Sequence, residues 1–293
     1  MTKSKVYFTK TISPESVVAL YGKLGIELPG RVAAKVHSGE KGNQNFLHPD
    51  FWHPIIKKLN ATVVENNTAY AGQRNSTKKH QKTLEAHGWN VFPFDLLDAE
   101  GPDLELEIKN GKILKSNFVG KNLKNYDSML VLSHFKGHPM GGFGGALKQL
   151  SIGCASSAGK AWIHSAGKTK DQFLLWISHV APQDDFLESM ADAASSVVEM
   201  FSGKIAYINV MANLSVDCDC CAKAEDPCMN DIGILASLDP IAIDQACLDL
   251  IKGSNDPGKA HFLERVESRN GEHILEAAAA LGFGSREYEL EEL

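Results

Sequence analysis

Short apolar, β-branched runs recur at residues 6–8, 32–36, 61–64, 129–132, 205–210 and 232–235, and the segments between them carry helical spacing. Ser13, Pro14 and Glu15 supply an N-cap, a first-turn proline and a first-turn acid ahead of Val17, Val18 and Leu20. Residues 48–59 and 77–87 predict two further helices, so the first hundred residues read as β-α-β-α-β-α-β. Residues 104–108 alternate apolar and acidic side chains and predict a hairpin with 113–114 across the Asn110-Gly111 turn. Phe186, Met190, Ala194, Val197, Val198 and Phe201 form one apolar helical face, stopped at Gly203. Helices over 240–251, 257–268 and 272–281 follow, the last ended by Gly282. This alternation predicts an α/β fold, a mostly parallel sheet with helices on both faces. Its loop-like residues between Lys168 and Asp185 suggest two lobes, 1–175 with a glycine-rich ligand loop and 176–293 with a cysteine cluster.

Composition narrows the function classes. At 293 residues and 43% hydrophobic content the chain buries a core large enough for an enzyme. A net charge of −6 without a basic stripe speaks against nucleic acid as a partner. No apolar run approaches the roughly eighteen residues of a membrane helix. Met1 and Thr2 lead straight into the strand-like Val6-Tyr7-Phe8 without an apolar signal segment, so a cytoplasmic location is expected and disulfides are not.

Of six cysteines, Cys218, Cys220, Cys221 and Cys228 crowd into one short stretch. Packing gives no reason for that density. Tetrahedral zinc and iron–sulfur clusters both need thiolates converging on one point. The C-x-C-C-x₆-C spacing matches neither paired C-x₂₋₄-C zinc motifs nor a ferredoxin run, which points to a subset of these thiols plus a distant ligand, with Cys154 the candidate. Free thiols are the competing reading.

A second stretch, Ser133 to Lys148, follows the strand at 129–132. Gly141, Gly142, Gly144 and Gly145 precede a helical segment, an arrangement that exposes backbone N–H groups to an anion at the binding edge of an open sheet. It is neither a Walker nor a dinucleotide motif, and a plain tight turn explains it equally well. His134, Lys136, His138, Lys148, Lys160 and His164 accompany it. Histidine serves as ligand or proton carrier near neutral pH, and lysine pairs with anions or becomes nucleophilic when desolvated. Lys35, His37, Glu65, Asn67 and Arg74 lie after two earlier strands and are further candidates for cofactor binding, although Asn and Gly in these stretches also suit βα turns. Asp239 and Pro240 read as a helix cap, and Asp244 stands in the following turn, facing the site or solvent.

Lys35-Val36-His37-Ser38-Gly39-Glu40, Asn67-Thr68-Ala69-Tyr70, His134-Phe135-Lys136-Gly137-His138, Cys218-Asp219-Cys220 and Gly233 to Pro240 together resemble domain-of-unknown-function family 362, the uncharacterised iron–sulfur centre proteins. The resemblance covers almost the whole chain. It implies an iron–sulfur (4Fe-4S) oxidoreductase with an electron-transfer partner, but the ferredoxin-type insertion of many relatives is missing, leaving the Cys218 cluster to carry that expectation. His138, Lys148 and His164 are also similar in order and spacing to the lactate racemase family, which implies a lysine-tethered, nickel-containing nucleotide and histidines that ligate nickel or move protons. The expectation is therefore a metal-binding protein with iron–sulfur or zinc at Cys154, Cys218, Cys220, Cys221 and Cys228. Beside it lies a small-molecule cleft with His138, Lys148 and His164 as catalytic candidates. A racemase-like enzyme and a non-enzymatic metal or cluster carrier are the alternatives.

Overall fold

The computed structural model describes residues 3–293, so Met1 and Thr2 lie outside the described residues. The first part of the chain forms β1 (Ser4–Thr9), α1 (Pro14–Lys23), β2 (Val32–Lys35), α2 (Pro49–Lys58), β3 (Thr62–Glu65), α3 (Thr77–Ala86) and β4 (Phe94–Leu96), the order the apolar pattern predicts. A hairpin of β5 (Leu104–Glu107) and β6 (Ser116–Val119) precedes the central strand β7 (Ser128–His134). A small hairpin, β8 (Lys136–His138) with β9 (Gly142–Gly144), leads into α4 (Ala146–Lys148), which continues as a wider turn through Gly153. Then come α5 (Ser157–His164), α6 (Gln172–Leu174), α7 (Gln183–Met200), β10 (Ile205–Met211), β11 (Gly233–Ser237), α8 (Pro240–Gly253), α9 (Lys259–Glu267), α10 (His273–Leu281) and β12 (Tyr288–Glu292).

Eight strands make one sheet in the order β12-β1-β11-β10-β7-β2-β3-β4, in which β11 alone runs against the others. Strands from both sides of residue 175 interleave in it, since β1 lies between β11 and β12. Period-two alternation splits the core. Leu130 and Leu132 face the layer of α1, α2 and α3 with Leu20, Ile55 and Leu84, while Met129 and Val131 face α7 and α8 with Met190 and Leu248. Both faces of β7 are therefore covered, which is why its sequence reads as an apolar run.

Local chemistry explains the helix starts. Ser13 accepts from the Ser16 N–H at 3.1 Å, and Asp239 accepts from Ile241 and Ala242 at 2.8 and 3.0 Å. The hairpin at 104 pairs differently from expectation: Glu107 faces Ser116, and residues 113–114 stay in the loop. The reason is Asp192 on α7, whose carboxylate accepts from the N–H groups of Lys112, Ile113 and Leu114. Those amides are thereby lost to strand pairing. Among the described residues no helix is long and apolar enough to cross a membrane.

Candidate metal and ligand site

The carboxyl ends of β2, β3 and β7 face a cavity of about 240 Å³ at the point where the chain order in the sheet changes direction, the expected place for a ligand. Lys35, the last residue of β2, is fully buried and pairs with Glu65, the last of β3, at 2.9 Å. Arg74 adds contacts to Glu40 at 3.3 Å, to Glu65 at 3.6 Å and to the Tyr70 hydroxyl at 2.9 Å. Burial opposes ionisation of Glu65, but the charges of Lys35 and Arg74 outweigh it and hold the carboxyl well below its usual range. His37 is pressed well below its ordinary value by burial and by Arg74. The result is a rigid polar frame along one wall.

The cysteine turn closes the opposite side. The Cys221 N–H donates to the Cys218 carbonyl at 2.8 Å, and the Lys148 ammonium lies 3.4 Å from the Cys218 sulfur. One ligand atom each from His138, Cys218 and Cys220 falls within 4.8 Å of the others. Burial disfavours a thiolate at Cys218, yet hydrogen bonding from Cys220 and the charges of Lys148 and Lys136 hold this thiol well below its usual range. Cys220, hydrogen-bonded to the Cys218 and Cys221 thiols, is pushed well above it. The nearby sulfurs also keep Lys148 protonated, against the effect of its burial.

His138 is fixed by backbone. Its Nδ1 accepts from the N–H groups of Met140 at 3.2 Å and Gly141 at 2.8 Å, so the neutral ring carries its proton on Nε2. Burial and Lys148 lower its pKa, favouring that neutral form. Behind the thiols, Asp219 pairs with His134 at 2.9 Å and Lys136 at 2.8 Å, and His37 stands at 3.9 Å. The turn thus sends Asp219 into a cluster of basic side chains and leaves Cys218 and Cys220 beside His138 as a candidate metal group.

Of the residues singled out in the sequence, His138, Lys148, Lys160, His164, Lys35, His37, Glu65, Arg74 and Cys220 line the cavity, with Cys218 sealed beside them. His134 and Lys136 lie behind it on Asp219. The anion cradle expected at Gly141, Gly142, Gly144 and Gly145 is corrected by the structure. Gly142 and Gly144 pair within the β8–β9 hairpin, and the free N–H groups of Ala146 and Leu147 are taken by Asp244 at 2.7 and 2.9 Å. Asp244 is therefore a buried cap, its carboxyl pushed up to about 6 by burial. The ligand set is corrected too. Cys154 is buried apart from the metal group, its thiol pushed up to about 11 by burial, and Cys228 donates to the Leu214 carbonyl at 3.3 Å. Cys221 is half-buried next to Cys220, outside the trio. Glu40, Tyr70, Gln149, Trp176 and Asp219 join the site without having been assigned a role from sequence. Glu40 and Tyr70 lie inside conspicuous polar stretches, whereas Trp176, whose Nε1 donates to the Ala69 carbonyl at 2.7 Å, gave no signal.

Residues 32–249, three quarters of the chain and all of the cavity lining, match the family described as "Domain of unknown function (DUF362)". The chain belongs to this family. No curated protein matches it. Among solved structures, this DUF362 chain is similar to the lactate racemase apoprotein from Thermoanaerobacterium thermosaccharolyticum, with 15% identity and a TM-score of 0.42 over 70% of this chain and 50% of that one. It is also similar to a Thermotoga maritima protein, with 11% identity and a TM-score of 0.44 over 91% and 58% of the two chains. The DUF362 chain thus spans half of the first protein's length and under two thirds of the second's.

Proposed function

We propose that this DUF362 protein is an enzyme working with one metal ion held by Cys218, Cys220 and His138 beside a cavity that receives a small molecule. The observation that carries the reading is the convergence of one nitrogen and two sulfurs within 4.8 Å at the cavity wall. Two thiolates with one imidazole suit zinc, and three protein ligands with a fourth position open are the pattern of catalytic rather than structural zinc. A four-thiolate iron–sulfur cluster has less support, because Cys154 and Cys228 lie outside the group. When bound, such an ion would supply Lewis acidity towards a substrate oxygen. The chain's own residues set its terms: Lys148 balances thiolate charge, and His138 enters the shell at Nε2 only by giving up the proton it holds there. The burial of Cys218 speaks against a carrier, which must hand its metal over at the surface.

Anaerobic purification followed by elemental analysis tests this. One ion per chain is expected, lost when Cys218 and Cys220 are both replaced by serine, and X-ray absorption should count two sulfur ligands. Iron with visible absorption would make the protein an oxidoreductase instead of a zinc enzyme. Wild-type protein that takes up no metal would overturn the reading.

A second reading rests on His138, Lys148 and His164 lining the same cavity, as a lysine-tethered, nickel-containing nucleotide would require. Its weak point is Lys148, whose amine must be neutral to form a tether and is instead held protonated by Cys218. A covalent adduct in the intact mass, removed by Lys148→Ala, would support it. An unmodified mass without nickel would reject it.

A further inference from the structure

Four cationic side chains reach the cavity wall, and three are already answered. Lys35 meets Glu65 at 2.9 Å, Arg74 meets Glu40 at 3.3 Å, and Lys148 meets the Cys218 sulfur at 3.4 Å. Lys160 on α5 differs. Its Nζ donates to the Ala155 carbonyl at 2.6 Å and has no carboxylate within ion-pair distance among the described residues. The side chain is only 7% exposed. An ammonium offers three donors, so two N–H groups are left without a protein acceptor in a place where water is scarce. Burying an unpaired charge is unfavourable, and burial draws this amine down to about 8.

The surroundings show what would complete it. The amide and indole donors of the lining are spent within the protein: Asn66 Nδ2 on Gly153, Gln149 Nε2 on Leu132 and Trp176 Nε1 on Ala69. One helical turn after Lys160, His164 donates from Nδ1 to the Lys160 carbonyl at 2.7 Å, leaving Nε2 without a protein partner among the described residues. Burial lowers His164 to about 4, so Nε2 is an acceptor. Residues four apart share a helix face, and the unspent donor and acceptor therefore stand together on α5. Ile152, Met140 and Trp176 add apolar surface around them.

We propose that Lys160 is the anchor for an oxyanion, a carboxylate or phosphate group of the small molecule that occupies this cavity. The proposal deepens the function above by naming the substrate's charged group, and rests on it for calling the ligand a substrate. Anion binding at Lys160 itself needs no metal.

The test uses the protein as purified. Acetic anhydride labels accessible amines, and peptide mass spectrometry reads the extent at Lys160 in the presence of butyrate, its neutral isostere butyramide, or inorganic phosphate. Protection by butyrate or phosphate and none by butyramide is expected, and the stronger protector tells carboxylate from phosphate. Equal protection by butyramide, or no protection by either anion, would overturn the proposal. Calorimetric titration supplies the second arm: Lys160→Met should weaken anion binding at least tenfold while metal content stays at the wild-type level. Unchanged anion affinity in that variant would also overturn it. If the metal assignment fails, the wild type will be metal-free while anion protection persists, so the two failures are distinguishable. The labelling arm uses wild-type protein and decides the matter even if the variant folds poorly.

Discussion

The Lys148 ammonium lies 3.4 Å from the sulfur of Cys218, which joins the glycine-rich segment after β7 to the cysteine turn between β10 and β11. Without Lys148 the thiolate loses one of its two main charge partners, the other being Lys136. In metal-free protein, Lys148→Met should raise the Cys218 pKa and move its thiolate titration to higher pH. Titration of ultraviolet thiolate absorbance measures it. An unshifted curve would show that the thiolate does not depend on this lysine.

Asp219 is the buried anion shared by His134 and Lys136. Asp219→Asn leaves the buried Lys136 ammonium without an anionic partner and should cost about 3–5 kcal/mol in urea denaturation. Burial alone would raise the Asp219 carboxyl, but His134 and Lys136 hold it well below its usual range. Its contribution is therefore present above the unfolded value of about 3.9 and lost as pH falls through the folded one. The gap between wild type and variant should stay constant from about pH 5 to 8 and close only in strong acid.

Lys160 should behave in the opposite sense. With its folded pKa lowered to about 8 and an unfolded value of about 10.4, it is a liability while charged. Lys160→Met should stabilise the ligand-free protein near pH 7 by on the order of 2–3 kcal/mol. Wild type should then gain on the variant as pH rises from about 8 to 10.4, because the unfolded chain holds the proton longer. Equal stability of the two proteins across that range would mean the ammonium is compensated.

The sequence made the scaffold legible because each buried strand carried its own apolar run, and because Ser13, Asp239 and Pro240 mark helix starts by local chemistry. His138, Lys148 and His164 could be found because they follow one strand closely. What was hidden depends on distance along the chain. Nothing near Gly145 announces that Asp244 fills the amides of α4, and nothing near Cys218 shows that Cys154 lies elsewhere. Asp219 looked like a spacer between thiols until β2, β7 and β8 brought His37, His134 and Lys136 to it.

Gly137 makes a tight backbone approach to the segment leading into the cysteine turn. Its N–H donates to the Ser215 carbonyl at 2.8 Å, and an added Cβ would run into the main chain of Val216. Gly137→Ala should cost about 1–3 kcal/mol by overpacking and weaken metal retention, since the displaced segment leads directly into Cys218. Thermal unfolding with elemental analysis checks both effects. Wild-type values in both would show that the two segments separate easily.

Strand β1 pairs with β11 through Val6 and Ser237 and with β12 through Ser4 and Tyr288, so both its neighbours are made long after it. During synthesis this strand must wait, with Val6 and Phe8 uncovered, until residues 233–237 emerge. The cavity's lining ends at Cys220, and the parallel strands β4, β3, β2, β7 and β10 are all complete before then. Vectorial synthesis therefore delivers every residue of the site before its first-made strand can find a partner, and the edge of the sheet is assembled around a centre already present.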